Sequence, residues 1–379
     1  MGLIQEAAMD ALAYTILERP NESPSGLAGI GDFVLQPSGK ISAERILMDP
    51  TITLFSLDLD ERRAVFVETP PNLDLSTVPF LYTTQFEQAN CVLTLSFDDM
   101  IELAKAVEIN DGRLVFIHSV GRAGSTLASQ LFAQVDGAVS LSEPESLTWL
   151  VAARYGKKES EAYLKQLLEA TICLLCKTPA RTVWAIKGRS FWIELADWLY
   201  ELFPQARNIF LYRDAETWLG SGMHAYFDEL PDTEEELAAG VLELRDWLAP
   251  LVPLLDQYDD GRPLSVASLL VFMWLGVMDR YLALSEAGIE MLPIRFERWQ
   301  IAPRATAEAM LLYGRVHPAD NRALDETLGT DAQAGSRLAR SAVSSHTLTV
   351  QPRDLEDLYY YLDHHPVIKT ADFLVPGVE

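Results

Sequence analysis

Apolar and polar positions follow two rhythms along this chain, and the rhythm changes near residue 111. In the first part, Thr51 to Thr69 (TITLFSLDLDERRAVFVET) gives two strand-like apolar runs around the polar Asp58–Arg63 segment. Pro70-Pro71 breaks the pattern. The stretch from Pro79 to Val107 then reads as a helix or loop, a short strand and a further helix. From Arg113 short apolar runs alternate with amphipathic helical periods. LVFIH is followed by a helix over 125–135, AVSLS by helices up to about Lys177, TVWAIK by a helix over 191–203, and ARNIFLY by a helix from about Ala215. A helical insert of about 228–287 precedes a last strand-like run, EMLPIRF. The pattern predicts an α/β fold, a parallel sheet flanked by helices over 111–379, with an N-terminal α+β extension over 1–110. In such sheets ligands bind outside the carboxyl ends of the strands.

The first of those ends carries glycines. Arg113–His118 reads as a buried strand and runs into Ser119-Val120-Gly121-Arg122-Ala123-Gly124-Ser125-Thr126, after which Leu127, Leu131 and Val135 mark a helix face. Strand, glycine loop and helix together make an anion site: glycines let the backbone come close, and the helix start offers unpaired N–H groups and a positive dipole end. Ser125 and Thr126 add hydroxyls. A nucleoside triphosphatase loop would place Lys after the second glycine. Here Ser125 follows Gly124, and the loop's cation is Arg122. The competing reading is an ordinary strand-to-helix turn.

Composition narrows the partners. The chain has 379 residues, 49% of them hydrophobic, enough for a substantial core. Thirty basic against 55 acidic residues give a formal charge of −25, which argues against a broad grip on nucleic acid or an anionic membrane. A basic pocket for a small anion must then gather its cations locally. The acidic start MGLIQEAAMD lacks the pattern of a signal peptide, and the apolar run Leu264–Met278 falls short of a membrane span and reads as a core helix. Three cysteines suit a reducing compartment, so a cytoplasmic protein is expected. Cys173 and Cys176 have CxxC spacing but sit in an apolar helical run, which favours a buried structural role over metal binding. His364-His365 is weak evidence for a metal, because adjacent side chains generally point different ways.

The loop resembles that of the superfamily of sulfotransferases that use PAPS, 3′-phosphoadenosine-5′-phosphosulfate. The family loop reads Pro-Arg/Lys-Ser-Gly-Thr/Ser-Thr, so Gly121 stands in place of its Pro and Ala123 in place of its Ser. A second match lies further on. The family binds the nucleotide's 3′-phosphate with an Arg at a strand end and a Ser eight residues later, and here Arg213 closes ARNIFLYR with Ser221 eight residues beyond. Two looser likenesses accompany these. Pro293–Glu297 resembles a late strand ending in Tyr-Glu-Asp, with Phe296 for Tyr and Arg298 for Asp. Leu141-Ser142-Glu143-Pro144 resembles an acidic segment of the protein-tyrosine and carbohydrate branches. The resemblance covers roughly residues 113–315.

What it implies is a P-loop sulfotransferase-like fold with PAPS as donor, bound by Gly121, Arg122, Ala123, Gly124, Ser125, Thr126, Arg213 and Ser221. The acceptor is an unidentified hydroxyl or amine. Sulfuryl transfer builds negative charge on the leaving phosphate, which fixed cations stabilise. Arg122 is the first candidate, with Lys187 and then Arg189 behind it as residues following the TVWAIK strand. Many members use a His in a Lys-x-His segment as base, and Lys187-Gly188-Arg189 lacks it. Glu143, 21 residues after Arg122 and at the end of the next strand, is the preferred base, with His224 as runner-up. His118 reads as a structural strand-end residue. No metal is expected. Trp247, Phe272, Trp274 and Tyr281 of the insert suit an acceptor pocket or, more simply, the core. A P-loop kinase-like phosphotransferase and a non-catalytic nucleotide-binding module are the alternatives.

Overall fold

The strand-rich rhythm of the first hundred residues folds into an antiparallel sheet, and the alternating rhythm beyond it into a parallel one. The computed structural model describes residues 9–24, 26–177, 183–226, 234–258, 261–317, 321–333 and 350–377. They divide into two compact units: Met1–Asn110 with Glu143–Thr182, and Asp111–Ser142 with Val183–Glu379. The chain therefore enters each unit twice.

In the first unit β1 (Asp10–Glu18), β2 (Val34–Ser42), β3 (Ile52–Asp58), β4 (Arg63–Glu68) and β5 (Cys91–Ser96) pair in the order β2-β1-β5-β4-β3, all antiparallel. The two runs expected around Asp58–Arg63 are β3 and β4, joined by a turn in which Arg62 takes φ 51°. Phe33, Phe55 and Phe86 meet at ring distances of 5.8 and 5.2 Å and pack with Val65, Val67 and Val92 in a buried cluster. The helices Glu145–Gly156 and Glu161–Leu175 pack against β3. Cys173 and Cys176 are buried in the end of the latter, and burial pushes both thiols up. Just beyond, Lys177 donates to the carbonyls of Ile46, Asp49 and Ile52, while burial pulls its ammonium down to about 8.

In the second unit β6 (Leu114–Ser119), β7 (Ala138–Ser142), β8 (Val183–Lys187), β9 (Arg207–Tyr212) and β10 (Leu292–Arg295) form a sheet in the order β10-β9-β6-β8-β7. Every pairing is parallel, and helices flank it, as the alternating pattern predicts. The chain steps from β6 outward to β7, returns to β8, and then crosses β6 to reach β9. The direction of winding thus reverses between β6 and β9, which makes their carboxyl ends a crevice of the kind that receives ligands.

The expected helix over 191–203 splits. A 3-10 helix over Ser190–Leu195 precedes an α-helix over Ala196–Leu202. All of Phe191–Leu195 are buried, more than the single stripe an amphipathic helix hides. Trp192 lies so close to Gly188 that a Cβ there would meet its ring at 2.3 Å, and its N–H reaches the carbonyl of Ile117 at 3.1 Å.

Of the insert, the helices Glu234–Leu248, Leu255–Tyr258 and Val266–Glu286 are described. The last is long and apolar enough to cross a membrane by length and composition, but most of it is buried inside the unit. Phe272, Trp274 and Tyr281 are core residues, and Trp247 is half-buried against Phe191. His364 and His365 do point apart. His365 bonds to Asp279 at 2.7 Å, while His364 faces the carbonyl of Tyr360.

Candidate functional site

β6 delivers the chain into the glycine loop, whose backbone is set by its two glycines. Gly121 adopts φ 77° and Gly124 φ 82°. Proline is locked near −65°, so Gly121 suits a conformation that the family's Pro does not reach. Arg122 between them takes φ 49°, a strained value for a residue with a side chain. The N–H of Gly121 donates to the Ser119 hydroxyl at 2.9 Å, and Val120 N–H continues the sheet by bonding to Leu211 O at 3.0 Å. Ala123 is wholly buried.

The helix Ser125–Ala133 starts at Gly124 with no acidic residue in its first turn. Ser125 and Thr126 are buried in this turn.

β9 brings the second cation. Arg213 follows its last residue, and Asp214 caps the helix Ala215–Tyr226 by accepting from Thr217 N–H at 3.1 Å. The Arg213 guanidinium lies over the Phe296 ring at 4.4 Å and donates to Thr217 Oγ1 at 3.1 Å and to the carbonyl of Arg122 at 3.3 Å. Phe296, where the family has Tyr, is therefore a cation–π platform. Burial lowers the Arg213 pKa, Glu297 opposes that, and the charge of Arg122 lowers it further. Arg122 in turn donates from Nε to Ser221 Oγ at 3.1 Å and from its terminal nitrogen to Gln333 Oε1 at 3.0 Å. Arg122, Arg213 and Ser221 are thus brought together at the mouth of the crevice between β6 and β9.

Tryptophans buttress this arrangement. Trp218 shares its indole N–H between the carbonyls of Val120 and Gly121, at 3.0 and 2.9 Å. Trp274 donates to the carbonyl of Arg213 at 3.1 Å. Trp299, on the helix Phe296–Ile301 after β10, lies against Gly124. Spacing in sequence does not show these contacts, because each joins an aromatic ring to a backbone atom far away along the chain.

The remaining candidates fall on neighbouring strand ends. Lys187 is buried at the end of β8, in register with Ile117 of β6 and Ser142 of β7. Arg189 precedes the 3-10 turn as its cap. Glu143, the residue after β7, has φ 60° and belongs to the first unit. The helix-starting glutamate of that segment is Glu145, whose carboxylate accepts from Ala28 N–H at 2.8 Å. His224 is carried by the helix Ala215–Tyr226, and its side chain lies outside the described residues. His118 is fully buried, stacked on Trp192 at 4.5 Å, and its Nε2 pairs with Asn208 at 3.3 Å. Burial pulls its pKa down to about 3, so it is a neutral structural ring.

No protein-family model matches the chain, and no curated protein matches it. Among solved structures it is similar to sulfotransferase STF1 of Mycobacterium tuberculosis H37Rv, at 12% identity and TM-score 0.40 over 62% of this chain and 75% of that one. It is similar to sulfotransferase STF9 of Mycobacterium avium, at 13% identity and TM-score 0.41 over 72% and 82%. A third is a sulfotransferase of Alicyclobacillus acidocaldarius, at 12% identity and TM-score 0.38 over 65% and 90%.

Proposed function

We propose that this chain is a sulfotransferase that takes PAPS as donor and places the sulfuryl group on a hydroxyl or amine acceptor. The observation that carries the proposal is the convergence of two guanidiniums and Ser221 on one glycine loop, Arg122 Nε to Ser221 at 3.1 Å and Arg213 to Arg122 O at 3.3 Å. Arg213 feels the charge of Arg122, and two like charges gathered at one loop in a protein of charge −25 fit an anion that joins them. Arg213 and Ser221 take the 3′-phosphate, Ser221 exchanging its Arg122 partner for a phosphate oxygen. The N–H groups of Ala123–Thr126 and the Arg122 guanidinium hold the 5′ end.

Transfer breaks the S–O bond to the donor's 5′-phosphate, forms a bond from sulfur to the acceptor atom, and leaves charge on that phosphate. Arg122, with Lys187 buried on the neighbouring strand, stabilises that charge. Glu143 takes the acceptor's proton. Its strained backbone, like that of Arg122, marks a residue held at a strand end by its surroundings.

The test compares 3′,5′-phosphoadenosine with 5′-AMP by calorimetry. The wild type is expected to prefer the former, and Arg213→Ala to erase most of that preference, a loss of about 2–5 kcal/mol. Equal affinity for both nucleotides sinks the reading. Preference for magnesium-bound ATP moves it to a phosphotransferase.

A further inference from the structure

Trp299 is buried, and its indole Nε1 has no hydrogen-bond partner among the described residues. An unsatisfied buried donor is destabilising, so its position asks for a reason. The ring lies against the glycine loop: a methyl group built on Gly124 would stand 3.1 Å from Trp299 Nε1 and 3.2 Å from Cδ1. Gly124 is the cap of the helix Ser125–Ala133, where the N–H groups of the first turn converge. Phe296, on the same short helix as Trp299, carries the Arg213 guanidinium, so that helix touches both Arg213 and the glycine loop. The indoles of Trp218 and Trp274 already donate to backbone carbonyls here.

We propose that Trp299 is a further anion-binding residue, donating its indole N–H to an oxygen of the phosphate or sulfate group held at Gly124. The inference rests on the nucleotide reading above and names a donor that the loop motif does not contain. It also accounts for Gly124 beyond its positive φ, since any side chain there would push the indole out of line.

The experiment uses the full chain with nitrogen-15-labelled tryptophan, titrated with inorganic pyrophosphate and with 3′,5′-phosphoadenosine. Trp299→Phe keeps a ring against Gly124 and removes the N–H, and Trp299→Tyr serves as the second variant. Either identifies the Trp299 indole resonance by its disappearance. That resonance is expected to move on addition of both ligands, and the variants to bind each about tenfold more weakly. A resonance that moves with pyrophosphate, in a protein that binds 3′,5′-phosphoadenosine no better, supports the Trp299 site and removes the nucleotide reading. Ligand binding with the Trp299 resonance unmoved and the variants' affinity unchanged overturns the proposal. Failure of the wild type to bind either ligand overturns both.

Discussion

Arg122 and Glu143 share a backbone property that their side chains do not suggest: both sit at positive φ, 49° and 60°, next to strand ends. Such strain persists only where surrounding structure fixes it, and it recurs where a side chain must be aimed. The two residues differ in what they should do. If the proposed function holds, Arg122→Ala is expected to weaken 3′,5′-phosphoadenosine binding and to slow transfer, because the guanidinium would meet the ground state as well as the leaving phosphate. Glu143→Gln keeps shape and backbone demand while removing the carboxylate that the proposal makes the base. Nucleotide affinity should hold, and single-turnover transfer should fall by roughly 10²–10⁴-fold. Titration beside single-turnover rates separates them, and full turnover by Glu143→Gln removes it from the mechanism. Their places beyond strand ends were legible in the sequence because each follows a recognisable apolar run. Trp218, Trp274 and Trp299 were not, since a tryptophan in an amphipathic helix carries no mark of the carbonyl or glycine it will meet.

At the scale of elements, the glycine loop is held from two sides. β6 and β9 fix its entry through Val120 N–H on Leu211 O, and the helix Ala215–Tyr226 holds its carbonyls through Trp218. Trp218→Phe keeps most of the packing and removes both of those bonds. It is expected to cost about 1–3 kcal/mol in urea unfolding and to weaken nucleotide binding, because the loop's N–H groups lose their fixed direction. Unchanged affinity in a destabilised variant would limit Trp218 to a packing role. The inner strands β6, β8 and β9 were readable as near-continuous apolar runs, which strands buried on both faces have, and the edge strands β7 and β10 as shorter ones. β1 and β2 were not. β2 contains Pro37 and Gly39, is mostly exposed and lies at the sheet edge, where Pro is tolerated and the alternation fades. The helices Glu145–Gly156 and Glu161–Leu175 pose another problem: apolar periodicity gives a helix and its buried face but does not say which sheet that face covers.

Over the whole molecule, a buried histidine just ahead of the glycine loop is expected to shape the response to acid. His118 is fully buried on β6, stacked on Trp192, paired through Nε2 with Asn208, and close enough to Arg280 to feel its charge. Burial is the main cause of its pKa falling from 6.5 to about 3, and Arg280 acts in the same direction. The unfolded chain therefore binds a proton near pH 6.5 that the folded chain refuses until about pH 3. Between those values the unfolded state holds more protons, so stability is present above pH 6.5 and is lost as pH falls. The slope is about 1.4 kcal/mol per pH unit, or about 3 kcal/mol between pH 6 and 4, a large share of what a folded domain has to spare. His118→Phe keeps a ring against Trp192 and removes the titration. Urea unfolding of both proteins at several pH values is the measurement. The wild type should lose stability steadily from pH 6.5 downward, and His118→Phe, though weaker at pH 7 for want of the Asn208 bond, should follow a flatter line until the carboxylates titrate. Parallel lines for the two proteins would mean that the acid sensitivity lies elsewhere.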